Sequence, residues 1–287
     1  MKFVSFTKEN HDGFGVITDD GIIDLTGKVG AALSLRQLIE NGDLEAAKAR
    51  ADGAAADFSV GDVTFLPVIP DPGKIICVGL NYHDHVNETG RTVEENPCIF
   101  HRYPDSQVGH QQPMIRPIVS DNFDFEAEMA IVMTGGGRHV DPADALNHIA
   151  GYACYNEGTI RDWQRHTRQF GMGKNFVNTG SFGPWMVTAD EIPDHTQLEM
   201  VMRLNGQEMQ RAPLKDLIFD VPTLISYVSK ALPWKPGDVL VTGTPGGVGF
   251  KRSPPIFMKP GDVAEVEISM IGTLVNPIAD EQHPTAS

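Results

Sequence analysis

Asp124-Phe125-Glu126-Ala127-Glu128-Met129-Ala130-Ile131-Val132-Met133 is the stretch around which the chain is organised. Phe125, Ala127, Met129, Ile131 and Met133 share one parity, and Glu126, Glu128, Ala130 and Val132 the other. Side chains alternate faces along a strand, so a strand here sets Glu126 and Glu128 side by side on one face. That face continues into Ala130 and Val132, which is not the composition of a wet surface. Two carboxylates on a half-buried face repel each other unless a cation or shared protons offset the charge. A solvated strand end with two harmless glutamates is the other reading the pattern allows.

Around this stretch, 287 residues suit one large domain with an appendage. Hydrophobic residues make up 41% and charged residues 21%, as in a soluble globular protein. The 29 Gly and 20 Pro predict many turns, hence a strand-rich α+β fold and not a helical bundle. A net charge of -15 argues against nucleic acid and anionic membrane surfaces as partners. It leaves room for a small anionic substrate held by a local basic cluster. Cys77, Cys98 and Cys154 are odd in number and lack CxxC spacing, so they are expected to pack as core residues in a reducing compartment. No run approaches the ~18 apolar residues of a membrane span, and the N-terminus lacks a signal-peptide core. The expected location is the cytoplasm.

Upstream, Lys2–Phe6, Phe14–Thr18 and Ile22–Leu25 read as strands, the last two joined across Asp19-Asp20-Gly21. Ser34 can cap a short helix ending at Asn41-Gly42, and Asp43–Ala51 is a second helical stretch. Pro67, Pro70 and Pro72-Gly73 mark a boundary between a small N-terminal domain, 1–70, and a catalytic domain, 71–287. A strand from Lys74 runs into Gly79–Glu88, where His85 and Glu88 share a face if the segment turns helical. They could be a base and its orienter, or an exposed ion pair. Downstream, Ile149–Tyr155 leads to Glu157, a third carboxylate at a strand end. Arg161, Arg165, His166 and Arg168 form the densest basic patch, fit either for an anionic ligand or for solvent. Gly171-Met172-Gly173-Lys174 lacks the spacing of a phosphate loop, but a tight glycine turn can aim Lys174 into a site. Gly243–Gly249 presents backbone N–H groups that can bind an oxyanion.

Taken in order, GLNYHDHVNETG, DFEAEMAIV, GYACYNEGTIRDWQ, GKNF, GPWMVTADEI, NGQEMQ, KPGDVLVTGTPGGVG and MKPGDVAEVEI resemble the fumarylacetoacetate hydrolase family from about Ile75 to Asn276. The resemblance implies mixed β-sheets rolled around a metal site, a small variable N-terminal domain, and often a homodimer. It implies Mg²⁺ or Mn²⁺, with Ca²⁺ a possible substitute in a crystal, held by Glu126, Glu128 and a third acid. That acid is usually Asp in a pattern like N-D-x-S-x-R-D. Here Glu157 takes its place, and one extra methylene moves the carboxylate by roughly 1.5 Å, a large shift for Mg²⁺. Gly158 is expected to supply backbone freedom for the adjustment. The resemblance also implies catalytic roles for His85, Glu88 and Lys174, and substrate positioning by Gln164 and Thr244. Arg102 stands where many members have lysine, and is expected to grip a substrate carboxylate.

Three carboxylates without His or Cys form a hard-oxygen site. The function expected first is metal-dependent hydrolysis of a C–C bond in an acylpyruvate such as fumarylpyruvate, within aromatic catabolism. His85 would deprotonate the attacking water, and the metal and Lys174 would hold the enolate. An alternative keeps the enolate and changes its fate: decarboxylation or isomerisation of an oxaloacetate-type acid or of a 2-hydroxyhepta-2,4-diene-1,7-dioate-type acid. A third possibility is a non-catalytic metal- or ligand-binding protein.

Overall fold

The computed structural model describes residues 1–282, so the last five residues of the 71–287 span lie outside the described residues. The organising stretch forms a strand over Ala127–Met133, with both faces buried. Its two parities enter different cores. Ala127, Met129, Ile131 and Met133, with Phe125 just before them, pack with Met200, Met202, Val266 and Ile268. Ala130 and Val132 pack with Ile75, Val239, Val241 and the helix residues Leu35, Leu38 and Ile39.

This strand lies inside a large sheet ordered Gly21–Asp24, His11–Thr18, Lys2–Lys8, Gly180–Thr188, Ile149–Asn156, Ala127–Met133, Val239–Val241, Ile75–Gly79 and Cys98–Arg102. Along this order neighbours are antiparallel, except that Val239–Val241 runs parallel to Ile75–Gly79. The N-terminal strands belong to the same sheet, because Lys2 and Phe3 pair with Val187 and Met186. A five-stranded sheet, ordered Gln207–Pro213, Glu199–Leu204, Val263–Ile268, Gly272–Asp280 and Met114–Arg116, contributes the first core's other wall. Its Asn205-Gly206 turn has positive φ at both positions, 54° and 76°, as a tight hairpin demands.

The helix Leu35–Asn41 begins where Ser34 Oγ accepts the Gln37 N–H and ends at left-handed Gly42. Val221–Ala231 is capped by Asp220, with a proline in its first turn. Cys77 and Cys154 are buried and Cys98 half-buried, all as free thiols. Burial pushes each thiol up, Cys154 to about 12, which suits packing and not nucleophilic attack. Among the described residues no helix is long and apolar enough to cross a membrane.

His110 ties two layers together. Its Nδ1 accepts the Val275 N–H at 3.1 Å, and its ring packs edge-on to Phe65. The ring is therefore held neutral, and burial lowers its pKa from 6.5 to about 4. Protonation favours the unfolded chain, so this contribution is present above about pH 6.5 and is lost as pH falls toward about 4. His110→Asn supplies an acceptor that does not titrate. Its melting temperature should fall less steeply than the wild type's between those pH values, and parallel curves would refute this role.

Candidate active site

Two adjacent strands deliver the acids. Ala127 pairs with Asn156 at the end of their antiparallel ladder, so the next residues outward, Glu126 and Glu157, meet. The Glu157 N–H donates to the Glu126 carbonyl at 2.8 Å, and Asn156 Oδ1 accepts the Glu126 N–H at 3.2 Å. Glu128 joins them from the same face. One oxygen from each of Glu126, Glu128 and Glu157 lies within 4.8 Å of the others. Their exposures of 4%, 2% and 0% exclude the solvated strand end.

A fourth buried carboxylate, Asp124, stands beside them, and three buried cations answer the four acids. Arg161 lies 2.8 Å from Asp124 and 2.6 Å from Glu126. Lys174 Nζ donates to Glu126 Oε2 at 2.6 Å and lies 3.8 Å from Glu157. Burial alone would raise the Glu126 pKa. Arg161, Lys174 and His85 outweigh it and hold the carboxyl at about 2. Glu128 forms no ion pair among the described residues and accepts only the Gly243 N–H, at 2.5 Å. Burial, then the charges of Glu157 and Glu126, push it well above the usual carboxylate range. Glu157 Oε2 is buried with no hydrogen-bond partner. A divalent cation among the three would relieve both deficits, and an all-oxygen donor set suits Mg²⁺, Mn²⁺ or Ca²⁺. The residues fit such an ion.

Arg102 is not where the sequence reading put it. It is fully buried behind Glu157, with Nη1 3.5 Å from Glu157 Oε1. Its other contacts are the Gly158 carbonyl at 3.1 Å, Thr179 Oγ1 at 2.9 Å and Ser106 Oγ at 3.2 Å. It therefore supports the longer third acid and does not face a substrate. Gly158 also acts differently from expectation. Its φ is not in the left-handed region, and a Cβ there would lie 1.9 Å from the Thr179 carbonyl. It gives space, not freedom.

His85, Gln164, Lys174 and Thr244 line one cavity of about 730 Å³ together with Glu126 and Glu128. Glu88 stands behind His85 on the helix His83–Thr89. His85 Nδ1 is 2.9 Å from Glu88 Oε1, and Glu88 Oε2 accepts the Gly247 N–H at 2.9 Å. Gln164 Oε1 accepts from Arg161 at 3.1 Å. The glycine loop differs from its expected use. Its N–H groups bind the site's own acids, Gly243 to Glu128, Gly247 to Glu88, and Gly249 with Phe250 to Asp124. Of the basic patch, Arg161, Arg165 and Arg168 line the cavity, whereas His166 turns onto Trp163. Arg161, Arg165 and Lys251 gather over the Phe250 ring at 4.3, 4.6 and 5.4 Å. Asp124, Asn81, Gln210 and Phe250 were not picked out as site residues by sequence. Asp124 stood next to the acid pair, and the others carry no local signal.

The family description "Fumarylacetoacetate (FAA) hydrolase C-terminal" matches residues 74–279. The chain belongs to the fumarylacetoacetate hydrolase family. It is 36% identical over 286 residues to the rat protein named oxaloacetate tautomerase Fahd2a, mitochondrial, covering 97% of this chain and 91% of that one. The crystal structure of fumarylacetoacetate hydrolase from Exiguobacterium antarcticum aligns with a TM-score of 0.83 at 32% identity, covering 98% of this chain and 100% of that one. Maleylpyruvate hydrolase from Sphingobium sp. SYK-6, solved with manganese(II) and pyruvate, aligns with a TM-score of 0.82 at 27% identity and the same coverage. Fumarylacetoacetate hydrolase relatives thus include both hydrolases and tautomerases, and the chain is of an enzyme family.

Replacing Arg102 tests the third acid. Arg102→Met strands the buried Glu157 carboxylate, which should cost about 3 kcal/mol of stability in EDTA. With saturating Mg²⁺ the loss should shrink, since the ion then offsets the charge. Denaturant unfolding measures both, and equal losses would mean that Glu157 does not sense the ion.

Proposed function

We propose that this protein is a divalent-metal-dependent tautomerase that interconverts the enol and keto forms of a 2-oxo dicarboxylate of the oxaloacetate type. The charge layout of one cavity carries this reading. Glu126, Glu128 and Lys174 line it, and so do Arg91, Arg165, Arg168 and Lys251, which form no salt bridge among the described residues. A small dianion with a carboxylate at each end suits such a chamber. The likeness to a relative named for oxaloacetate tautomerisation supports the same substrate class.

When bound by Glu126, Glu128 and Glu157, Mg²⁺ or Mn²⁺ would supply the positive charge that favours an enolate over its ketone. Proton transfer falls to His85. Its Nδ1 is engaged by Glu88, so Nε2 is the nitrogen left for the substrate. That nitrogen takes the proton from carbon 3 and passes it to the enolate oxygen on enolisation, and carries it back from oxygen to carbon 3 on ketonisation. As the C–H bond breaks, its electron pair forms the C=C bond and the carbonyl π pair moves to oxygen. The Lys174 ammonium faces that negative charge, while Gln164 and Thr244 hold substrate oxygens. The net change moves one proton between carbon and oxygen and consumes no water.

A second reading is hydrolysis of an acylpyruvate. The half-buried His85–Glu88 pair favours it, since an oriented imidazole can equally deprotonate water. The two readings separate in one pair of assays. The Mg²⁺-loaded protein should accelerate loss of the enol absorbance of oxaloacetate and release no pyruvate from maleylpyruvate or fumarylpyruvate. His85→Ala should lower tautomerase kcat by roughly 10²- to 10⁴-fold. Acylpyruvate cleavage without enol conversion would favour the hydrolase, and neither activity would leave a non-catalytic binding protein.

A further inference from the structure

Gln210 lies on the Gln207–Pro213 strand of the five-stranded sheet and is 2% exposed, yet its amide reaches the acid cluster of the large sheet. Its Oε1 accepts the N–H of Ala127, the residue between Glu126 and Glu128, at 2.9 Å. A backbone N–H can only donate, so the oxygen end of the amide is fixed there. Nε2 then points the other way, 2.8 Å from the Pro245 carbonyl and 2.9 Å from Thr244 Oγ1. The carbonyl can only accept, which fixes the same orientation independently. Both amide hydrogens are thereby assigned.

Thr244 Oγ1 acts as an acceptor toward Gln210, so its own hydrogen must go elsewhere. The only hydrogen-bond partner of that oxygen among the described residues is Gln210. Thr244 is 3% exposed and lines the cavity. Buried hydroxyl hydrogens are rarely left without an acceptor, so a ligand oxygen is its remaining destination.

We propose that Gln210 is a positioning residue that sets the polarity of Thr244, making its hydroxyl an obligate donor to an oxygen of the bound ligand. The ligand atom there must be an acceptor: a carboxylate, keto or enolate oxygen. A ligand hydroxyl pointing its hydrogen at Thr244 is disfavoured. The assignment holds for any such ligand, whether or not the protein is a tautomerase.

Oxalate with Mg²⁺ is the probe, because every oxalate oxygen is an acceptor at neutral pH and the molecule is neither hydrolysed nor tautomerised. Gln210→Glu keeps the acceptor for Ala127 but replaces the donating NH₂ with a carboxylate oxygen. The Thr244 hydroxyl then turns its hydrogen toward that oxygen and away from the ligand. Calorimetry on the whole chain should show oxalate binding weakened about tenfold in Q210E and about tenfold in Thr244→Val, a typical loss for one hydrogen bond to a charged group. The double variant should be no weaker than either single one. Thr244→Ser, which keeps the hydroxyl, should restore most of the affinity, and Mg²⁺ binding without oxalate should stay within about twofold. Wild-type oxalate affinity in Q210E overturns the proposal, as do additive losses or a wild-type protein that binds Mg²⁺ but no oxalate. A fall in Mg²⁺ affinity that accounts for the whole oxalate loss would mark Gln210 as a prop for the acid strand only. If Q210E does not fold, Gln210→Met removes the donor that fixes the Thr244 hydroxyl, which is then free to rotate. A weakening smaller than that of Q210E is then expected, and unchanged oxalate affinity in Q210M overturns the idea.

Discussion

Burying four carboxylates at the end of two neighbouring strands is the constraint that shapes this molecule. Asp124, Glu126, Glu128 and Glu157 all lie at 4% exposure or less. Each such charge costs several kcal/mol unless it is paired and hydrogen-bonded. Arg102, Arg161 and Lys174 supply the pairing, and all three are themselves buried. The glycine loop supplies much of the hydrogen bonding, with backbone donors to Glu128, Glu88 and Asp124. Gly243 has a φ of +101°, and a Cβ there would lie 2.7 Å from the Asn81 side chain. Only glycine brings that N–H so close to Glu128.

The compensation is uneven, and the unevenness gives the site its chemistry. Glu126 is held by Arg161 and Lys174 and stays ionised, while Glu128 lacks an ion pair and Glu157 keeps one oxygen without a partner. Four acids against three cations leave one carboxyl, Glu128, without a charge partner in a low-dielectric pocket. That is the state a divalent ion relieves, and it turns the local balance positive. The cations around Phe250 extend the positive wall outward. An acidic protein thus holds a locally cationic chamber once an ion is bound, which is the field a small dianion needs.

The features legible in the sequence are those written at short range. Strand parity put Glu126 and Glu128 on one face, because the period of two survives even though Glu126 precedes the assigned strand. The spacing of His85 and Glu88 and the Asn205-Gly206 turn were legible for the same reason. What was hidden depends on contacts between distant segments. Arg102 read as a substrate anchor because its direction is set by packing against Glu157, 55 residues away. The glycine loop read as an oxyanion site because its acceptors lie on other strands and on a helix 159 residues back. Gln210 was only one letter of a hairpin, since Ala127 and Thr244 are 83 and 34 residues from it.

One loop therefore registers the whole site. Residues 243–250 hold an acid of the cluster through Glu128, the partner of His85 through Glu88, and the anchor of Arg161 through Asp124. Asn81 ties the approach to the base helix to the strand leading into that loop, donating to Thr242 at 2.8 Å. Imidazole, ammonium and acids are thus fixed relative to one another. In the function proposed above, such a frame stabilises an enolate whatever the substrate loses to form it. If carbon 3 carries a proton, His85 can take and return it, and the outcome is tautomerisation. If carbon 3 carries an acyl group, enolate departure also needs a water at that carbonyl, and the same imidazole must activate it. The two reactions share a charge pattern and differ in the occupant beside His85. Relatives with one fold can therefore carry either name, and the proposal of a compact dianion for this chain rests on the free cations lining the chamber.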